Sequence, residues 1–235
     1  MKPVAIFRHA PTEGPGYFAT FLAQRGIPVE LFMIDQGATV PEQPDAFSGL
    51  VFMGGPMSVN DDLPWIPQVL ELIRQAVAQD VPILGHCLGG QLMAKAMGGQ
   101  VSGNPVKEVG WGDVTVLDNP QAHAWFRDAP QRFSAFHWHG ETFSIPQGAT
   151  RILESAYCPN QAFVLGKHLG MQCHVEMTVD MVKTWCEVGA DEIAANPGPS
   201  VQTAALMLEG LEPRIADLNA VAAKLYTRWV AGLLT

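Results

Sequence analysis

The feature that most constrains the fold of this chain is the alternation of short apolar runs with helix-like stretches over its first hundred residues. The predicted strands are 3–7, 29–34, 50–53 and 81–84, and the predicted helices are 17–25 and 65–79. Strands that alternate with helices pair in parallel and are covered by helices on both faces. We therefore predict an α/β fold with a mainly parallel central sheet, whose functional site lies at the carboxyl ends of its strands.

After about residue 100 the predicted secondary structure changes twice, first to mainly strands and then to mainly helices. The candidate strands in its middle are 114–117, 133–136, 149–154, 162–165 and 169–173, and a candidate helix follows at 178–189. A Pro/Gly break lies at 196–199, and residues 201–234 read as one or two helices, interrupted near Pro213. We predict a domain over residues 1–190 and a C-terminal helical extension over residues 191–235 that packs on it.

Charge and hydropathy argue against two classes of partner. The formal net charge is −9 and no cluster of Lys or Arg stands out, whereas a nucleic-acid footprint needs a basic stripe. The sequence has no apolar run of about 18 residues, the length that a membrane span requires. The opening segment MKPVAIFRHAPTEG becomes polar too early for a signal peptide. We expect neither nucleic-acid binding nor membrane binding.

The four cysteines argue against a disulfide scaffold and against a zinc site. They stand at positions 87, 158, 173 and 186, and the nearest two are thirteen residues apart, so no C-x-x-C pair exists. Free thiols without a signal sequence are typical of a cytoplasmic protein. We therefore expect a cytoplasmic chain with no metal and no cofactor.

Cys87 lies at the centre of the segment Gly85-His86-Cys87-Leu88-Gly89, between an apolar run and a helical pattern. Glycines two residues to either side permit the strained strand-to-helix turn on which a nucleophile is exposed. The amino terminus of the following helix would favour the thiolate form. The same pattern also fits a small buried hydrophobic residue, so the segment alone leaves both interpretations open.

Two further segments could supply the groups that a thiolate nucleophile needs. In an extended backbone His174 and Glu176 point to the same side, so the carboxylate could orient an imidazole that faces Cys87. Acyl transfer also requires amide donors for the developing oxyanion. The backbone amide of Leu88 and the loop Gly54-Gly55-Pro56 are candidates. Taken singly, the first segment could be a surface pair and the loop a tight turn.

Taken together, these segments resemble the class I (triad-type) glutamine amidotransferases. The matching stretches are VFMGGPMSV, PILGHCLGGQLMAKAMGGQV, HWHGE and LGMQCHVE, within roughly residues 1–180. The chain is most similar to the stand-alone branch, which resembles the amidotransferase half of guanosine monophosphate synthetase without the synthetase domain. The resemblance implies a flavodoxin-like sheet, cleavage of a γ-glutamyl amide with release of ammonia, and a separate synthetase subunit as a candidate acceptor.

The resemblance also implies a role for each matched residue. Cys87 matches the nucleophile that forms a γ-glutamyl thioester, His174 the general base and acid, and Glu176 the residue that orients it. Gly55 and Leu88 match the two backbone oxyanion donors.

Four further matches concern the small-molecule substrate. Gln91 matches a side chain that holds the amino-acid end of glutamine. The backbone of Trp138, His139 and Gly140 resembles a strand-end segment that holds the same end.

The chain departs from the family motif at three positions. Cys173 and Val175 replace the usual Phe and Pro around His174, and we expect the loss of proline to loosen this turn and shift Glu176. His86 stands where the family often has an aliphatic residue. By alternation it should point away from Cys87, so we do not assign it as the base.

Three alternatives remain at this stage. The substrate could be a γ-glutamyl peptide or conjugate, or the chain could be a non-catalytic module with the same fold. The segment Arg8-His9-Ala10-Pro11-Thr12 also resembles the phosphoryl-accepting segment of histidine phosphatases. That chemistry needs arginines that clamp phosphate, and the remaining arginines lie in no suitable context. Arg8 and His9 are therefore expected to shape a loop near the rim of the site.

Overall fold

The computed structural model describes residues 1–234, which build one nine-stranded sheet with helices on both faces. The strands are β1 (Val4–Arg8), β2 (Val29–Met33), β3 (Gly49–Phe52), β4 (Ile83–His86), β5 (Val101–Val116), β6 (Arg132–Phe143), β7 (Thr150–Ser155), β8 (Ala162–Leu165) and β9 (His168–Met171). Their order across the sheet is β2-β1-β3-β4-β9-β8-β7-β5-β6. The α/β class predicted from the sequence is confirmed.

The sheet is parallel on one side of β9 and antiparallel on the other. Strands β2, β1, β3, β4 and β9 pair in parallel, and the pairs from β9 through β8, β7 and β5 to β6 are antiparallel. A tight turn causes the change of direction after β8, since only Gly166 and Lys167 separate β8 from β9. Gly166 has a φ of 57°, which glycine adopts at little cost.

The helices are α1 (Gly16–Gln24), α2 (Trp65–Ala78), α3 (Leu88–Ala96), α4 (Pro120–Trp125), α5 (Val179–Val188), α6 (Ala190–Ala195), α7 (Ala204–Leu208) and α8 (Leu211–Val230). Successive side chains of β1 point to opposite faces of the sheet, so the apolar core consists of one cluster on each face. Val4 and Ile6 pack in one apolar cluster with α1 and α8, and Ala5 and Phe7 pack in the other with α2 and α3. None of the helices that residues 1–234 form is long and apolar enough to cross a membrane.

The C-terminal helix α8 belongs to the main core. Its apolar stripe, which includes Leu218, Leu225 and Trp229, is buried in the same cluster as β1 and α1. The break between α7 and α8 lies at Gly210, with a φ of 59°, three residues before Pro213, and α8 itself includes Pro213. Proline is tolerated in the first turn of a helix because the amide that it lacks would have no partner there. The boundary near residue 190 stays a prediction.

Strands β5 and β6 are much longer than the sequence predicted. Their ladder runs from the pair Val101–Phe143 to the pair Thr115–Arg132, with an irregularity between Gly103 and Glu108. Glycines and polar residues weaken the apolar alternation there, so the sequence pattern predicts strands only at the more apolar segments 114–117 and 133–136. The added length carries the end of β6 to the carboxyl edge of the parallel strands.

Candidate active site

Three neighbouring strands deliver the predicted catalytic segments to one edge of the sheet. Strands β3, β4 and β9 lie side by side. Each ends within three residues of one segment: Gly54-Gly55 after β3, Cys87 after β4 and His174 after β9. Parallel strands present their carboxyl ends at the same edge, so the sheet brings together segments that lie up to 120 residues apart in the sequence.

Cys87 adopts the strained turn that its flanking glycines predict. Its φ of 49° and ψ of −107° lie outside the regions that side chains ordinarily favour, and its amide donates a 2.8 Å hydrogen bond to the carbonyl of Met171. A Cβ on Gly85 would lie 2.5 Å from the backbone of Gly89, and one on Gly89 would overlap the carbonyl oxygen of Phe52. The turn is thus held by packing that only glycine permits.

His174 and Glu176 form a buried pair beside Cys87. Nδ1 of His174 lies 2.6 Å from Oε1 of Glu176, and the imidazole is close enough to Cys87 for the sulfur to affect its pKa. Burial alone would lower the pKa of His174, but the charges of Glu176 and Cys87 and hydrogen bonding raise it well above its ordinary value. Burial would raise the pKa of Glu176, but the charges of His86 and His174 lower it to about 2. The arrangement favours a protonated His174 held by an ionised Glu176.

The loss of the family proline does not separate this pair. Val175 and Cys173 are fully buried on either side of His174, and the 2.6 Å contact between His174 and Glu176 is intact. The backbone of His174 is fixed independently, because it exchanges two hydrogen bonds with Phe136 of β6. The absence of proline therefore leaves Glu176 in contact with His174, and the cross-strand bridge helps to hold this turn in place.

His86 lies behind the pair, on the side away from the sulfur. Its Nε2 is 3.7 Å from Oε2 of Glu176 and 3.1 Å from the hydroxyl of Tyr226 on α8. Burial lowers the pKa of His86. The sequence predicted the direction of His86 but not its partner, because Tyr226 is 140 residues away.

The loop after β3 packs against the start of α3. A Cβ on Gly55 would lie 2.8 Å from Cδ2 of Leu88, so the two proposed oxyanion donors are neighbours. The first amides of a helix have no acceptor within it, which leaves the amide of Leu88 available to a ligand. Both predicted positions thus lie beside Cys87, and their roles stay predictions.

Arg8 and His9 have structural partners behind this loop. The guanidinium of Arg8 binds both carboxylate oxygens of Asp35, at 3.0 and 2.8 Å. Nδ1 of His9 lies 3.0 Å from the carbonyl of Met53, and the ring stacks on Trp65. Burial lowers the pKa of His9 to about 4, and its side chain is only 2% exposed. The geometry favours support of the loop over a phosphoryl-accepting role.

Gln91 is joined to Cys87 through a residue that the sequence did not indicate. Nε2 of Gln91 donates to Oε1 of Gln172 at 3.1 Å, and Nε2 of Gln172 donates to the sulfur of Cys87 at 3.4 Å. Gln172 is fully buried. It could have been found because it follows β9 directly, two residues before His174.

A cavity of about 570 Å³ opens at Cys87 and contains the predicted substrate contacts. The carbonyl of Trp138 lies 3.9 Å from the sulfur, and the indole nitrogen of Trp138 donates to Glu192 at 2.8 Å. Glu192 also pairs with Lys107. Gln91, Trp138, His139 and Gly140 all line this cavity, so the structure brings the four predicted positions together.

Two other cavity residues were missed by the sequence reasoning. Glu13 approaches the Gly54 loop so closely that a Cβ on Gly54 would overlap its carboxylate and lie 3.2 Å from Cε1 of His174. Burial raises the pKa of Glu13 to about 7. Trp185 packs edge-on against His174 with ring centroids 4.8 Å apart and donates to the carbonyl of Thr12. Because Thr12 and Glu13 follow β1, the strand-end rule could have indicated them.

The other three cysteines lack these surroundings. All four cysteines of the chain are free and buried. Burial raises the pKa values of Cys158, Cys173 and Cys186, which keeps them as inert thiols. Cys87 alone among the four sits on a strained turn with a histidine partner.

Comparison with known proteins identifies the family to which this site belongs. The model of the family described as "Glutamine amidotransferase class-I" matches residues 18–184. The chain is a class I glutamine amidotransferase family member. The matched region contains all three strand ends of the site.

Individual relatives agree with this assignment. The amidotransferase chain is 30% identical to a glutamine amidotransferase-like protein of Salmonella typhimurium, over 81% of this chain and 82% of that protein. It is 33% identical to a GMP synthase of Bacillus pumilus over 55% of this chain and spans about a quarter (24%) of that protein's length. A crystal structure of a glutamine amidotransferase from Methylobacillus flagellatus superimposes with a TM-score of 0.96 at 47% identity, covering 100% of this chain and 96% of the other.

Proposed function

We propose that this amidotransferase hydrolyses the side-chain amide of glutamine through a γ-glutamyl thioester on Cys87. The observation that carries the proposal is the convergence of Cys87, His174 and Glu176 at adjacent strand ends beside an open cavity. An active thiolate, a base and an orienting acid are the groups that this chemistry requires.

The first half of the reaction forms the thioester. The Cys87 thiolate attacks the amide carbon, and the carbonyl oxygen gains negative charge near the amides of Gly55 and Leu88. The His174 imidazolium gives its proton to the departing nitrogen, so the carbon–nitrogen bond breaks and ammonia leaves. Glu176 holds the ring in the orientation that this transfer needs.

The second half restores the enzyme. Neutral His174 accepts a proton from water, and the resulting hydroxide attacks the thioester carbon. The carbon–sulfur bond then breaks, releasing glutamate and the Cys87 thiolate beside a newly protonated His174. Each cycle consumes one amide and one water and needs no redox partner or cofactor.

A specific observation favours a second candidate substrate. The cavity extends from Cys87 past Trp138 to the Lys107–Glu192 pair. Its volume of about 570 Å³ falls within the range of sites for drug-sized ligands. A γ-glutamyl peptide or conjugate could therefore occupy the space beyond the scissile amide, and the same thioester would form.

What happens to the released ammonia distinguishes a free-standing hydrolase from a subunit that passes ammonia to a synthetase. The matched region covers only about a quarter (24%) of the GMP synthase of Bacillus pumilus, and we propose that a separate synthetase subunit is the acceptor if ammonia is used. The free cysteines support our proposal of a cytoplasmic location, since disulfides are rare in that compartment.

The decisive experiment measures the covalent intermediate. Wild-type protein is incubated with glutamine or with γ-glutamyl peptides, and the intact mass is recorded after acid quenching. We expect an adduct of one γ-glutamyl group on the peptide that contains Cys87, with the better substrate giving the larger amount. Cys186→Ala serves as the matched control and should retain the adduct. A Cys87→Ala protein that still hydrolyses these substrates would overturn the proposal.

A further inference from the structure

A second cluster of titratable side chains lies next to the catalytic cavity and takes no part in the proposed chemistry. Glu108 of β5 and His137 and His139 of β6 are all buried, and their ligand-type atoms lie within 4.8 Å of one another. Glu108 is paired with His139 across the two strands, and His137 projects from the same face two residues away. The three side chains therefore converge from two adjacent strands.

The hydrogen bond of His139 to a carbonyl fixes which of its nitrogens must carry a hydrogen and which one faces Glu108. Nδ1 lies 2.9 Å from the carbonyl of Glu141, and because a carbonyl only accepts, Nδ1 must donate. A neutral ring then presents a lone pair at Nε2, which is 2.9 Å from Oε2 of Glu108. Two acceptors at that distance require a cation between them, either a proton or a metal ion.

The orientation of His137 supplies a third lone pair. Its Nε2 lies 3.2 Å from the carbonyl of Gly112 and must donate to it. The Cδ2–Nε2 edge packs over Gly112, where a Cβ would lie 3.0 and 3.1 Å from these atoms. Nδ1, the other ring nitrogen, is buried without a hydrogen-bond partner among residues 1–234, and the His137 ring offers a ligand atom within 4.8 Å of those of Glu108 and His139. A buried acceptor without a partner is costly.

The carboxylate of Glu108 is fixed in the same manner. Ser155 donates to its Oε1 at 2.7 Å, and Gln161 donates to its Oε2 at 2.7 Å. Metal-binding histidines commonly donate their other nitrogen to a carbonyl, and metal-binding carboxylates are themselves hydrogen-bonded. All three members of the cluster have such outer partners.

We propose that Glu108, His137 and His139 bind a divalent zinc-class ion. Two ligands about 2.0–2.1 Å from a tetrahedral zinc ion lie about 3.3 Å apart, so Nε2 of His139 and Oε2 of Glu108, at 2.9 Å, need to separate by only a few tenths of an ångström to admit the ion. Two histidines and one carboxylate are a donor set that zinc and iron(II) accept. The site differs from the thiolate type that the cysteine spacing argues against, since no cysteine belongs to this cluster.

The ion would act on the neighbouring cavity through the strand. His139 stands between Trp138 and Gly140, and all three line the cavity that opens at Cys87. An ion that joins β5 to β6 at His139 would hold this part of β6 in place. The assignment rests on the geometry of the cluster and is independent of the proposed amide hydrolysis.

The test measures Zn²⁺ binding directly. Full-length protein is stripped with a chelator and titrated with Zn²⁺ by calorimetry, and Co²⁺ is used to record ligand-field absorption. We expect one ion per chain, with binding weakened as the pH falls because the ligands must lose protons. In weak buffer at neutral pH, release of about one proton per ion would show displacement of the proton between His139 and Glu108.

Variants assign the binding to this cluster. His137→Phe retains an aromatic ring in the core and Glu108→Gln retains the side-chain shape, and each should lower Zn²⁺ affinity by at least about tenfold. His123→Ala, which removes an exposed histidine, should bind as wild type does. Circular dichroism confirms that the variants are folded. Absence of Zn²⁺ binding by the wild type, or equal binding by folded His137→Phe and Glu108→Gln, would overturn the assignment and leave a proton between His139 and Glu108.

Discussion

The hydroxyl of Tyr226 lies 3.1 Å from Nε2 of His86, and this contact connects the last helix to the proposed catalytic pair. Because His86 is also 3.7 Å from Glu176, the chain of contacts runs from Cys87 through His174, Glu176 and His86 to α8. Every member behind the sulfur is buried. The orientation of Glu176 therefore depends on a residue far along the chain.

We expect Tyr226→Phe to destabilise the protein and to lower kcat while KM is retained. The change leaves Nε2 of His86 without this partner, and a lost hydrogen bond at a buried polar atom costs about 1–3 kcal/mol. Urea denaturation and steady-state kinetics measure the two effects. Tyr157→Phe, at an exposed tyrosine, is the control. Equal stability and equal kcat in both variants would show that the contact is inconsequential.

We expect His174→Ala to reduce kcat for glutamine by about 10²–10⁴-fold, the usual contribution of general acid–base catalysis. The imidazole is the group that reaches both Cys87 and Glu176. The measurement is ammonia release under saturating substrate. His123→Ala should retain wild-type turnover because its ring is exposed and lies outside the cavity. If His174→Ala turned over at the wild-type rate, another histidine would have to be the base.

We expect Glu13→Gln to alter how stability depends on pH. Burial raises the pKa of Glu13 from 4.5 to about 7, so the folded protein binds this proton more tightly than the unfolded chain does. The resulting stability is fully present below pH 4.5 and is lost as the pH rises through about 7. Unfolding free energies of wild type and variant, measured between about pH 5 and 8, should therefore diverge in favour of the variant as the pH rises.

The stability that Glu176 contributes depends on pH in the opposite direction, and Glu176 is present in both the wild type and the Glu13→Gln variant. Its pKa is lowered to about 2, so its stabilisation is present above pH 4.5 and is lost as the pH falls towards 2. Parallel curves for wild type and Glu13→Gln above pH 5 would show that the folded protein does not hold the proton of Glu13.

We expect Gly89→Ala to disrupt the turn that presents Cys87. The added methyl group would overlap the carbonyl oxygen of Phe52, and overpacking of this kind typically costs about 1–3 kcal/mol. Thermal unfolding and adduct formation at Cys87 should both be impaired. Gly103→Ala is the matched control, because a Cβ there meets no atom within 4 Å. A stable and active Gly89→Ala protein would contradict the packing argument.

The sequence predicted those parts of the site that follow from strand ends. Cys87, His174 and Gly55 each follow a short apolar strand, and parallel pairing places such ends together whatever the details of packing. Glu13 obeys the same rule after β1, but its segment resembled that of a different enzyme class and was not assigned to the cavity.

Other contacts could not be read from local patterns. Trp185 and Tyr226 reach the site from helices, and their positions depend on how α5 and α8 pack against the sheet. The cluster of Glu108 and His137 depends on the register between two long strands whose polar and glycine residues obscure the alternation. Those contacts arise only when distant parts of the chain pack together, so no local sequence pattern predicts them.

Helix α8 also affects when the site can be completed during synthesis. A nascent chain that has emerged only as far as α7 carries Cys87, His174 and Glu176 but lacks Tyr226 and the apolar stripe that closes the core over β1 and α1. His86 would then face a gap in place of a hydroxyl. A chain truncated before α8 would therefore carry its nucleophile without the packing that supports its base.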